Sequence, residues 1–409
     1  MAIADNAVGW LTARRLRAHG VILALCLWLW YGWIISTPGL HDRNRQLKGT
    51  DFAHFYTLGL LANAHRGTYL YDMNAQSALA GQQVPEAAGL QYLPLYPPQV
   101  SMLFSPFARL SYGRALALWW ACSSLIYGVC CYLLWRCCAS LQGQFGTVLI
   151  LAAGFPAFFH LIAWGQTSAL ALACFTGLFF LLRARRNFLA GLVLGCLIFK
   201  PQLGLAAAVV FIATGAWATV AGAILSAAAQ LAVGVMFYGT EPLRRWIQML
   251  AHVGQNWALL EPRPYQTHSL RTFWSMLIPW AGVASAAYVL SAVVVLALAI
   301  ACWRRVESLQ LSLRYSALLL TSVLVAPHLT IYDLVILAPA LLLTADWLVE
   351  QTPNASKRLL GSLLYFVYLL PLAGPLAQWT HVQLSVIAMA AALFMISRVR
   401  GVSAQISTS

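Results

Sequence analysis

The stretch "GTDFAHFYTLG", residues 49–59, sets Asp51, His54 and Tyr56 within six positions of one another. An ionised carboxylate can take a proton from a hydroxyl, and a neutral imidazole can donate one hydrogen bond and accept another. The acid stands out because the chain has only 11 Asp and Glu among 409 residues. Further polar groups interrupt otherwise apolar sequence at Gln166, at Lys200 with Gln202, at His268 with Arg271, and at His328, Tyr332 and Asp333. Ionisable groups at membrane depth are costly and mark functional positions. An acid, several cations and amide groups gathered at one membrane face suit a charged substrate whose tail stays in lipid. The acid would serve as a base toward an attacking hydroxyl, and the cations would stabilise negative charge on a departing anion.

Each of these residues also has a plainer role. Asp51 can cap a helix beginning at Phe52. His54 and Tyr56 can be interfacial aromatics. Lys200 ends an apolar run and can snorkel to the lipid surface, next to a proline that breaks the helix. Gln166 follows Gly165 and can satisfy a turn. On a helix, His268 and Arg271 would share a face. His328, after Pro327, can be an ordinary hydrogen-bonded histidine, and Asp333 sits where a helix dipole favours an acid. Tyr69, Tyr71 and Asp72 read as loop structure.

These residues must be held by membrane-spanning elements. The chain is 61% hydrophobic and 9% charged, with sixteen tryptophans, a balance that leaves too little polar surface for a soluble domain. Its net charge of +14 is spread over short clusters between apolar runs, as for flanks that meet anionic headgroups, so no nucleic-acid partner is expected. Nine cysteines show no metal or disulfide spacing and read as buried, reduced thiols. The run "VILALCLWLWYGWIIS" follows Arg14, Arg15 and Arg17 and lacks a small-residue cleavage site, so it reads as a retained span.

A span needs roughly 20 apolar residues to cross about 30 Å of hydrocarbon. That ruler predicts an all-α integral membrane protein, a single domain over 1–409, with about 12 crossings at 20–36, 115–135, 146–163, 167–183, 187–200, 203–217, 218–238, 283–303, 311–326, 331–349, 358–373 and 381–397. Lys200-Pro201 interrupts one of the longest runs. The short connections holding Arg136, Arg183/Arg185/Arg186, Arg304/Arg305 and Lys357/Arg358, and the flank with Arg398 and Arg400, predict the cytoplasmic side, with both termini there. Two long segments, 38–114 and 239–275, then face outward as loops with short helices, and so do the corners "AWGQTS" and "APHLTIYD".

An acid just past the first span, in the first outer loop, resembles membrane glycosyltransferases of the C-type fold. More narrowly, the chain resembles glycosyltransferase family 87, polyprenyl-phosphate-sugar-dependent enzymes that include a mannosyltransferase of phosphatidylinositol mannoside synthesis. The pieces "DFAHFY" (51–56), "GTYLYD" (67–72), "YPP" (96–98) with Pro106, "GQTSAL" (165–170) and "AGLVLGCLIFKPQ" (190–202) carry the resemblance, in order. It implies a hexosyltransferase-type, inverting transfer with no cofactor and no metal, and Asp51 as catalytic base. Lys200, with His268, Arg271 and His328, would bind the donor phosphate. His54, Tyr56, Gln166, Gln202, Tyr332 and Asp333 would contact substrate. The partners would be a polyprenyl-phosphate sugar donor, a lipid or glycan acceptor, and membrane lipids. The setting would be cell-envelope biosynthesis in a bacterial plasma (inner) membrane, with the site facing the periplasm or exterior. Two segments depart from the family pattern: Thr267-His268-Ser269-Leu270 stands where Asn-Gln-Ser-Leu is usual, and "PHLTIYD" stands where many members are tryptophan-rich.

Two other classes compete. A transporter or flippase of a lipid-linked sugar shares the span count, but it usually places polar groups near the midplane in matched halves. A membrane acyltransferase or ligase would call for a histidine–acid dyad that the spacing does not supply.

Overall fold

In lipid the backbone has no water to bond, so an apolar run satisfies itself as helix. The computed structural model describes residues 11–399, which are 79% helix with no strand among them; Arg400 and the two ends of the expected 1–409 domain lie outside them. Six helices have the length and apolar character of a span: Ala13–Ile35, Tyr112–Cys137, Trp217–Tyr238, Ala281–Arg304, Ile331–Glu350 and Ala355–Thr380. Ala139–Ala153 and Pro156–Trp164 form a seventh candidate, bent by 46°. Five shorter apolar helices complete the set: Ser168–Arg183, Asn187–Phe199, Pro201–Ala213, Leu311–Val325 and Leu384–Ser397. Every expected crossing falls on one of these elements, but five of the elements are shorter than a single pass demands.

The chemistry of the shortening is local. At Lys200-Pro201 the missing proline N–H and its ring end one helix, and the next begins with Pro201 in its first turn. Leu311–Val325 can be short because it is interior. Every residue from Tyr315 to Val325 is buried, and its neighbours are Pro201–Ala213, Ala281–Arg304, Ala338–Glu350 and Leu384–Ser397. A helix apolar on all sides belongs in such a place.

The segment 38–114 folds into the helices Phe52–Asn63, Met73–Gln83 and Gln99–Phe104 with short turns between them. Phe52–Asn63 is buried along most of its length. Phe52 and Phe55 pack on Phe104, Tyr112 and Trp119, with the Phe55 and Phe104 rings stacked at 4.9 Å. Aromatic pairs of this kind hold the start of the helix rigidly. The segment 239–275 contains Thr240–Ala251 and the beginning of Leu270–Leu277, joined by the single helical turn Trp257–Leu260, short 3-10 turns and irregular chain.

At the other end of the bundle the arginines tie helix ends together. Arg304 donates to the Ala213 carbonyl, and Arg305 donates to those of Ser397 and Val399. All nine cysteines are free. Only Cys130, Cys131, Cys138 and Cys302 are fully buried, which corrects the expectation for the rest; Cys26 is exposed.

Candidate active site

Asp51 stands at the N-cap of Phe52–Asn63, yet its side chain makes no cap bond. The Gln166 side-chain amide donates to Asp51 Oδ2 at 2.7 Å instead. The acid is held in place from both sides of the peptide: its backbone N–H donates to the Trp164 carbonyl at 3.0 Å. That approach depends on Gly165, whose φ of +71° suits glycine. A Cβ there would lie 2.7 Å from Cβ of Phe52. Trp119 Nε1 donates to the Gly165 carbonyl at 3.0 Å and fixes the corner from behind.

From Gln166 the polar contacts run inward. Lys200 Nζ donates to Gln166 Oε1 at 3.5 Å, to Ser168 Oγ at 3.0 Å and to Asp333 Oδ1 at 2.8 Å. Ser168 Oγ also donates to Asp333 Oδ1, at 2.5 Å. Lys200 is 4% exposed, so it does not snorkel; it forms a buried ion pair. Its ammonium also lies over the Tyr332 ring, 4.9 Å from the centroid. Asp333 does double duty, because with Thr330 it forms a capping box at the start of the Ile331 turn.

A second charged group faces the same space. Glu261 pairs with Arg271, accepts from His328 Nδ1 at 2.9 Å, and accepts from Thr272 Oγ1. Arg271 Nε donates to the Pro327 carbonyl at 2.6 Å, and its guanidinium covers the Trp257 ring at 3.7 Å.

These groups border a hollow of about 280 Å³. Its wall includes Asp51, His54, Gln166, Lys200, Gln202, His328, Tyr332 and Asp333 among the residues singled out by sequence. Three others do not line it. Tyr56 turns away, donating to the Leu110 carbonyl at 2.8 Å and packing on Tyr112. His268 is fully buried, with its Nδ1 bonded to Ser385 Oγ at 2.7 Å. Arg271 stands behind Glu261. His268 and Arg271 do not share a helix face, because Ser269 caps the Leu270–Leu277 helix and leaves His268 ahead of it.

Sequence reading passed over Glu261, Arg263, Tyr92, Tyr96 and Thr330, all of which line the hollow. Glu261 was within reach, as one of the few acids in the long segment 239–275. Arg263 is exposed at the rim. Tyr92 gave no signal beyond aromatic content, and Tyr96 entered only as the first residue of the "YPP" piece.

Burial pushes the Asp51 carboxyl up to about 6, against the downward pull of Gln166 and Lys200. Burial acts upward on Glu261 too, but His328 and Arg271 outweigh it and hold that carboxyl below the ordinary range. The two acids therefore differ in kind: Asp51 is poised to exchange a proton near neutral pH, while Glu261 stays charged as the partner of two cations.

The arrangement offers one proton acceptor without a direct cationic partner, set beside cations that are themselves compensated by acids. The profile of glycosyltransferase family 87 matches residues 95–330, more than half of the chain. The match takes in Gln166, Lys200, His268, Arg271 and His328; Asp51 lies before it. Comparison with curated proteins finds no match, and comparison with solved structures finds none either. With apolar helices of membrane-spanning length and a family match over most of the polar site, the chain belongs to glycosyltransferase family 87.

Proposed function

We propose that this glycosyltransferase moves a sugar from a polyprenyl-phosphate donor to an acceptor hydroxyl on the extracytoplasmic side of a bacterial plasma membrane, with inversion at the anomeric carbon. Asp51 takes the proton of the attacking hydroxyl. The acceptor oxygen bonds to the anomeric carbon as the bond from that carbon to the phosphate oxygen breaks. The electron pair leaves with the phosphate, whose added charge faces Lys200, His328 and Arg263. His268 and Arg271 act from behind the wall, Arg271 by holding Glu261 and the Pro327 carbonyl. Gln202, Tyr332 and the Asp333 side of the hollow border the sugar. The cations of the wall do the charge work, and the step is written without a metal.

The observation that carries this reading is the hydrogen-bonded series Asp51–Gln166–Lys200–Asp333 along one wall of a hollow. The reading includes a C-type arrangement in which about twelve helices cross, the five short ones with thinner local bilayer or protein cover. Mannose is the first sugar to test, because the family resemblance includes a mannosyltransferase.

The test uses purified wild type and Asp51→Asn with a panel of polyprenyl-phosphate sugars, product being followed by mass spectrometry. Wild type should release sugar from at least one donor, and a folded Asp51→Asn should not. Normal turnover by Asp51→Asn would remove the base from the scheme. Donor flux across proteoliposomes without bond cleavage would replace the scheme with transport.

A further inference from the structure

We infer that His54 binds the acceptor, taking a hydroxyl of an acceptor saccharide in a slot walled by Tyr92 and Tyr96 and so turning a neighbouring hydroxyl toward Asp51. This rests on the transferase reading above.

His54 is 4% exposed, and neither of its ring nitrogens has a hydrogen-bond partner among the described residues. A buried polar group left without a partner is costly, so an unmet pair of nitrogens at a cavity wall points to a ligand. The space behind the imidazole, toward Leu58, Leu70 and Pro97, has no room for a water molecule. Gln76, whose own Oε1 is unmet, stands beside the imidazole and can serve one nitrogen, so the hollow, which His54 also lines, is the place for a partner to the other. Burial draws the imidazole down to about 4, with its hydrogen-bonding approach to the Gln76 side chain acting the other way. At neutral pH it is uncharged, one nitrogen donating and the other accepting, which is the complement of a hydroxyl.

The slot is built to keep its shape. The rings of Tyr92 and Tyr96 stand 5.2 and 5.8 Å from that of His54. Tyr92 is tethered through its hydroxyl to the Thr50 carbonyl at 2.5 Å, and the Tyr71 hydroxyl holds the Tyr96 carbonyl at 2.9 Å. Aromatic walls with one polar group between them suit a sugar ring, whose C–H faces are apolar and whose edges are hydroxyls. His54 lies one turn after Asp51, its N–H bonded to the Asp51 carbonyl at 3.2 Å. Side chains at that spacing are about 5–6 Å apart at Cβ, a gap one sugar ring can bridge. The donor's anion is drawn to the wall of Lys200, Arg263 and His328. The His54 wall has no cation, which leaves it for the uncharged acceptor.

The experiment places wild type, His54→Phe, His54→Gln and Asp51→Asn in lipid nanodiscs, with thermal unfolding to confirm folding. Methyl mannoside, glucoside and arabinofuranoside are the probes, read by saturation-transfer NMR. At least one should receive saturation from wild type. His54→Phe, which fills the slot without polar atoms, should weaken that glycoside by about tenfold, His54→Gln by about threefold, and Asp51→Asn by less than about twofold. In turnover, His54→Phe should raise the acceptor KM by about tenfold and leave the donor KM within about twofold. Absence of glycoside binding by wild type overturns the inference, as does unchanged binding by His54→Phe. Should His54→Phe not fold, Tyr92→Leu strips one wall of the same slot, with the same expectation and the same overturning result. If glycoside binding depends on His54 while Asp51→Asn keeps normal turnover, the base assignment fails and this inference stands. An inactive Asp51→Asn with unchanged glycoside binding by His54→Phe is the reverse.

Discussion

Two of the molecule's hollows lie at opposite ends of its helices. The one beside Asp51 measures about 280 Å³, and the one between the start of Ala13–Ile35 and the helices Ala139–Ala153, Ala338–Glu350 and Ala355–Leu369 measures about 620 Å³. The larger is walled mostly by apolar groups such as Leu16, Val148, Leu151, Leu342 and Leu364, and no ion pair among the described residues lines it. The smaller has three carboxylates, a lysine, an arginine and two histidines in its wall. On the proposed reading, chemistry follows the convergence of polar groups and not the amount of empty space. Charges are expensive to desolvate, so a wall that keeps so many of them must have them matched.

The contrast breaks most readily at Asp51. Asp51→Asn should lower sugar transfer by about a thousandfold, within the range expected for loss of a positioned base, as read by steady-state turnover. The buried ion pair comes next. Lys200→Met or Asp333→Leu alone leaves an uncompensated buried charge and should cost about 3–5 kcal/mol of stability in detergent unfolding. The double variant should recover most of that stability and none of the activity. Recovery of both would reduce the pair to scaffolding.

The pH profile sharpens the comparison further. The Asp51 carboxyl must be ionised to act, and burial raises it to about 6. Transfer should therefore fall about tenfold for each pH unit below that point and level off above it. The same shift has an opposite consequence for stability. A carboxyl whose affinity for its proton rises on folding contributes stability at pH below its ordinary range, and loses that contribution as pH rises through about 6. At pH 7 the neutral Asp51→Asn should then unfold at a higher temperature than wild type while being inactive. Smallest of all should be the effect of filling the larger hollow: Ala345→Phe should change turnover by less than about twofold, since no group there meets the reacting atoms.

Much of this was legible in the sequence. Apolar runs located every helix of the bundle, because helix is the structure lipid permits an uninterrupted run. Asp51, Gln166, Lys200, His328 and Asp333 could be grouped because each sits at a corner where an apolar run stops. Their pairing was not legible. Lys200 read as a free cation for a phosphate, and the structure gives it to Asp333, a residue 133 positions away. Tyr56 was grouped with His54 by proximity in sequence, but two residues on a helix point about 200° apart, so one faces the hollow and the other the Leu110 carbonyl. Glu261 escaped notice because it lies in irregular chain, where no periodicity says which way a side chain points. Its role comes from tertiary contacts with Arg271 and His328.

The amide of Gln166 joins the acid to the ammonium, and an amide at neutral pH is a poor courier. It conveys orientation from Lys200 to Asp51 but is too weak an acid and too weak a base near neutral pH to relay a proton, unlike an imidazole in that place. On the proposed reading, a proton collected at Asp51 leaves by way of the hollow and not through Gln166.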